Sequence, residues 1–155
     1  MDQHKASFIR ISFPELISTL HEGTEPFWGK MSVQQMIEHV TGFFKVSTDQ
    51  LHFPLVTPEE HLPKFKEFLL SDKQFRENTK APVLPEEPLP VAEPDLSTAV
   101  SHLKEAIEQF FNFYELQPDK KIAHPVFGPL NFEEWVLLHY KHVTHHARQF
   151  GLLPR

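Results

Sequence analysis

The chain contains no cysteine. Disulfides and thiolate–metal sites are therefore excluded, and any bound metal must rest on imidazole and carboxylate ligands. Glycine is scarce, five in 155 residues, and neither a Gly-rich phosphate loop nor a G-x-S-x-G nucleophile elbow is present. Positive charge is also in deficit: the formal net charge is −6, which argues against nucleic acid as a partner, because phosphate binding calls for a basic face. No apolar run approaches the length of a membrane span, and the opening residues M-D-Q-H-K-A-S-F-I-R lack the apolar stretch of a signal peptide. The expectation is a cytoplasmic protein with no membrane partner.

What remains is an ordinary globular composition, 40% hydrophobic and 23% charged, of a length that fits one domain over residues 1–155. Fourteen prolines are present, and five of them (Pro82, Pro85, Pro88, Pro90 and Pro94) fall within thirteen residues. Proline lacks an N–H and clashes with the preceding turn, so this stretch is predicted to be an irregular connection rather than helix. Four amphipathic segments flank it. The first covers about Pro14 to His21, with an earlier start left open. The second starts at Ser32, where S-V-Q-Q reads as a capping box with Gln35, and carries the apolar stripe Val33, Met36, Ile37, Val40, Phe43 and Phe44. The third runs from Asp95 and stops before Pro118. The last is capped by Asn131 with Glu134 three residues on, and ends at Gly151. A weaker segment covers Pro58 to Phe75. No convincing period-2 alternation is found, so the predicted fold is all-α, a four-helix bundle, with an irregular five-helix fold as the runner-up.

The chemistry concentrates in the last helix. His139, His142, His145 and His146 lie within eight residues. Spacing of i and i+4 sets the imidazoles of His142 and His146 one above the other on a single face, which is how one helix offers two ligands to one ion. On a wheel of about 100° per residue, Phe132, Trp135, His139, His142, His146 and Phe150 share the core-facing sector; His145 falls outside it, near its edge with Gln149, and is expected either to face solvent or to support the ligands, whereas Arg148 points to the opposite side, to water. Burying an imidazole without a partner costs about 1–3 kcal/mol, so these histidines need company. A third ligand is expected from the second helix, where His39 flanks the apolar stripe. His39, His142 and His146 are the candidate metal ligands; Trp135 and His139 are candidates for lining the pocket or supporting the ligands. His124 precedes a proline in a predicted loop, and His4, His21, His52, His61 and His102 read as surface residues.

A histidine on the second helix followed by H-x-x-x-H on the last resembles the DinB/YfiT-like metalloenzyme superfamily, as do W-G-K-M-S-V-Q-Q-M-I-E-H at 28–39 and H-P-V-F-G-P-L-N-F-E-E-W at 124–135. The closing pattern there is close to H-x-x-x-H-R-G-Q. Here His142, His146 and Gln149 match it, while Ala147-Arg148 replaces the Arg-Gly pair. The resemblance implies a four-helix bundle of DinB-like type and a three-histidine site for zinc or nickel. It also implies a small-molecule substrate, such as a low-molecular-weight thiol used by a transferase.

Three readings share these residues. One is a metal-dependent enzyme, a transferase or hydrolase, whose ion keeps a position open. Another is a non-catalytic metal- or ligand-binding bundle, its fourth position filled by a carboxylate such as Glu38 or Glu134. The last is a structural bundle whose histidines hydrogen-bond to one another. Exposed Phe residues in the 58–75 segment offer a surface for a homodimer.

Overall fold

The computed structural model describes residues 1–155 and is mostly helical, with one two-stranded hairpin. The N-terminal helical run is continuous from α1 (Gln3–Ser7) through a π-helical turn (Phe8–Ser12) into α2 (Phe13–Ile17). It starts earlier and ends earlier than the Pro14–His21 segment expected from sequence. Proline near the start of that segment looks like a helix boundary. Here the chain passes through it because the wide turn directly before Pro14 bonds Phe13 N–H to the Phe8 carbonyl, five residues back, and so absorbs the proline. Ala6, Ile9, Phe13 and Ile17 form its buried stripe.

Helix α3 (Val33–Ser47) begins with the expected capping box: Gln35 N–H donates to Ser32 Oγ at 3.1 Å and Ser32 N–H to Gln35 Oε1 at 2.9 Å. A 3₁₀ turn (Glu59–His61) leads into α4 (Leu62–Leu70), the core of the weaker segment. Helix α5 (Leu96–Leu116) is capped by Asp95, which accepts from Thr98 N–H at 2.7 Å. Helix α6 (Phe132–Gln149) carries the Asn131–Glu134 box at its start. It closes in a Schellman turn: Gly151 takes φ +76°, Leu152 N–H reaches the Ala147 carbonyl at 2.8 Å and Gly151 N–H reaches that of Arg148 at 3.1 Å.

The sequence reading found no strand, and the hairpin corrects it. Strands β1 (Ile122–His124) and β2 (Gly128–Leu130) pair antiparallel, with Ile122 opposite Leu130 and His124 opposite Gly128. Three residues per strand are too few for alternation to register as a pattern. The hairpin places His124 on a buried strand position instead of in an exposed loop.

One apolar core runs from Ala6 to Phe150 and draws on the whole N-terminal run, helices α3 to α6 and both strands. Helix α3 packs along α5, while α6 touches the N-terminal run, α3 and α4. Contact on several sides buries twelve of the eighteen α6 residues. The Pro-rich stretch is irregular, as expected, and is strapped to the outer face of α3. Gln34 Nε2 donates to Glu93 O, Gln35 Nε2 donates to Leu89 O, and Glu38 Oε1 accepts from Ala92 N–H at 2.7 Å. No helix is long and apolar enough to cross a membrane.

Candidate metal centre

The side-by-side packing of α3 and α6 brings three histidines to one point. His142 Nε2 lies 2.9 Å from His39 Nε2 and 3.1 Å from His146 Nε2, and the ligand atoms of all three lie within 4.8 Å of one another. The ring centroids are 4.7–5.0 Å apart and the planes are close to perpendicular, at 74–77°. The rings therefore present nitrogens, not faces, to a shared centre. Tetrahedral zinc with Zn–N of about 2.0–2.1 Å would set ligand nitrogens about 3.3 Å apart.

The electrostatics of the cluster favour neutral imidazole. Burial, then the neighbouring His145, lowers the His39 pKa to about 4. Burial holds His142 and His146 well below the usual histidine value, and the adjacent imidazoles add to the effect. Neutral imidazole is the form that carries a lone pair for a metal. No carboxylate belongs to the cluster. Hydrogen bonding within it is frustrated: His142 Nε2 faces two other Nε2 atoms, and a single proton there can be given directly to one of them only. A divalent cation at the centre would engage all three lone pairs at once, so the donor set fits such an ion.

Aromatic rings wall the cluster. Phe43 stands edge-on to both His39 and His142, with centroids 5.2 Å away in each case, and stacks on His124 at 5.8 Å. Trp28 meets the ring of His145 at 5.3 Å, and His145 meets His146 at 5.0 Å. His39 and His142 are partly exposed, and His146 is buried, so the centre is approached from the His39–His142 side. Behind His146, its Nδ1 lies 2.7 Å from Gln149 Oε1, and Gln149 Nε2 donates to the Trp28 carbonyl at 3.0 Å.

The other sequence candidates take different places. His139 lies deep in the core, stacked at 3.9 Å on Phe44 and edge-on to Phe110 at 4.8 Å. Ser47 Oγ gives its proton to the Phe44 carbonyl, so His139 Nε2–H donates to Ser47 Oγ, at 2.8 Å. Trp135 is fully buried; its Nε1–H donates to the Ile122 carbonyl at 3.1 Å, and it stacks on His139. Both are buried core residues, and neither belongs to the three-histidine cluster. Arg148, expected at the surface, is buried, and so is His145, for which the sequence leaves open either solvent or a place beside the ligands. The wheel assumed a single covered face, whereas the Phe75 and Trp28 rings lie over His145. His124 is also buried; its Nδ1 accepts from Val126 N–H and Phe127 N–H, and burial lowers its pKa to about 3. His4, His21, His52, His61 and His102 are exposed, as expected.

The two carboxylates considered as a fourth ligand are engaged elsewhere. Glu38 accepts from Ala92 and Glu93 N–H in the proline strap, and Glu134 accepts from Asn131 N–H and pairs with Lys66. Sequence reasoning did not single out Gln149 as a partner of His146, although its i+3 position was the available signal.

No curated protein and no solved structure matches the chain. The family finding corrects the DinB/YfiT-like resemblance: the matching family model is a different one, whose function is not known. The physical reason the motif misled is that H-x-x-x-H is the spacing any helix needs to set two imidazoles on one ion, so it marks a geometry and not a lineage. The match extends over residues 14–152, and the chain belongs to the family described as protein of unknown function (DUF1569).

Proposed function

We propose that His39, His142 and His146 hold one divalent metal ion and that the chain is a metal-dependent enzyme acting on a small molecule. One observation carries this reading. Three imidazoles converge, and no further histidine or carboxylate joins them. Structural zinc sites are closed by four protein ligands, whereas catalytic sites use three and leave a position for water or substrate. The engagement of Glu38 and Glu134 elsewhere counts against the closed alternative.

When bound, a divalent ion supplies Lewis acidity and lowers the pKa of a water or thiol in its open position. The residues do the rest. Three neutral imidazoles leave the ion its full double charge, so the open position favours an anionic ligand of the hydroxide or thiolate class. Phe43 and the partial burial of the centre limit competing water on the open side. The metal choice rests on the all-nitrogen donor set, which suits zinc or nickel. We read the four long helical runs around this centre as a four-helix bundle, with α4 and the hairpin packed on its side.

The test is to load the protein with cobalt and follow its d–d absorption while adding a small thiol or a hydroxamate. A saturable spectral change that His142→Ala abolishes supports an open site. Full metal occupancy with an unchanged spectrum means a closed, non-catalytic site.

A further inference from the structure

We infer that Gln149 is a positioning residue for the metal centre: it fixes the tautomer of His146 and thereby aims a bare Nε2 at the shared point. The inference rests on the metal-site reading above and adds a residue that the ligand cluster does not contain.

The orientation of the Gln149 amide follows from its neighbours. The Trp28 carbonyl can only accept, so the Gln149 atom 3.0 Å from it must be the NH₂ group. That leaves the amide oxygen facing His146 Nδ1 at 2.7 Å. An oxygen can only accept, so Nδ1 must carry the proton. His146 is buried and no carboxylate belongs to its cluster to hold a second proton on it, so the ring is neutral and has one proton. Its Nε2 is therefore unprotonated, and that is the atom 3.1 Å from His142 Nε2. A backbone carbonyl thus sets the amide, the amide sets the imidazole, and the imidazole offers its lone pair to the centre.

The surrounding loop is shaped to hold this arrangement. Phe27 N–H donates to the Gln149 carbonyl at 2.8 Å, so the residue is gripped at backbone and side chain by adjacent residues of one loop. Gly29 follows with φ +77°, and a Cβ there would stand 3.1 Å from Gln149 Nε2. Glycine permits both the left-handed backbone and the close approach.

The experiment uses the full chain, metal-free and with ¹⁵N-labelled histidine, and reads the ring nitrogens of His146 by long-range ¹⁵N–¹H correlation. Zinc affinity is measured alongside by competition with a chromophoric chelator. In the wild type, Nδ1 should carry the proton and Nε2 none. Gln149→Leu should lose this preference and weaken zinc binding by about 10–100-fold, the usual effect of removing a ligand's hydrogen-bond partner. Gln149→Glu keeps an acceptor at Nδ1 but loses the donor to the Trp28 carbonyl, so it should retain the tautomer and bind zinc more tightly than Gln149→Leu, a rescue that a purely packing role would not give. If Gln149→Leu does not fold, the wild-type and Gln149→Glu spectra still decide the matter. A proton on Nε2 in the wild type, or a Gln149→Leu chain with unaltered tautomer and affinity, would overturn the inference while leaving the metal site standing. The expected tautomer in a chain that binds no metal would instead remove the metal reading and keep the Gln149 assignment.

Discussion

His39 Nε2 and His142 Nε2 stand 2.9 Å apart although 103 residues separate them in sequence. Between them lie most of α3, the proline strap, α5 and the hairpin, so the cluster exists only in the folded chain. Two imidazole nitrogens at that distance, both neutral, gain little unless a proton or a cation lies between them. The metal site and the fold should therefore stabilise each other, because an ion that binds only the folded state shifts the equilibrium towards it.

Substitutions along α6 should separate ligand from neighbour. His142→Ala removes the nitrogen common to both short contacts and should abolish stoichiometric metal binding. His145→Ala should leave metal content close to that of the wild type, yet lower thermal stability, because its ring is buried against Trp28 and Phe75. Elemental analysis and a melting curve on the two variants give the answer. Equal metal loss from both would mean that His145 is a ligand.

Acid should destabilise the metal-free chain steeply. Six histidines have their pKa lowered by burial: His39 to about 4, His124 to about 3, His145 to about 4, and His139, His142 and His146 well below their ordinary value. In the unfolded chain each titrates near about 6.5. The unfolded state thus binds more protons below that pH, so stability is fully present above it and falls as pH drops towards the folded values. Each unit of depression is worth about 1.4 kcal/mol. Against a total stability of about 5–15 kcal/mol, unfolding should be complete before the folded values are reached. Chemical denaturation at stepped pH checks this. A stability that is level from pH 7 down to about 4.5 would contradict the burial of these rings as neutral groups.

His139 should behave as a core residue. His139→Ala removes a ring packed between Phe44 and Trp135 and should cost about 3–5 kcal/mol, in the range of large core truncations. A double-mutant cycle with Ser47→Ala should return a coupling of about 0.5–1.5 kcal/mol for the lost hydrogen bond. Metal stoichiometry in the folded variant should not change. Loss of the ion without loss of stability would move His139 into the metal centre.

Local chemistry made much of this molecule legible. Ser32 with Gln35 and Asn131 with Glu134 announce two helix starts, because capping depends only on neighbouring residues, and the apolar period places a third start near Asp95. Helical periodicity put His142 and His146 on one face and His39 beside its stripe, and the structure brings those three together. What was not legible depended on tertiary contact. The start of the first helix stays open at Pro14 because the π-helical turn that absorbs the proline leaves no sequence mark. The Ile122–Leu130 hairpin was too short to show its period. Arg148 reads as exposed, and His145 is left between solvent and the ligands, because a wheel cannot reveal that Phe75 and Trp28 come from distant segments to cover the His145 side of α6. The family was misread for a related reason, since two histidines at i and i+4 report what a helix can do and not where it came from.

The central claim is that His39, His142 and His146 form a metal site. The most direct measurement is the metal content, by elemental analysis, of protein purified without a nickel column and then equilibrated with zinc or nickel and desalted. Close to one divalent ion per chain is expected in the wild type and almost none in His142→Ala. A wild-type chain that remains metal-free after equilibration, while folded, would contradict it.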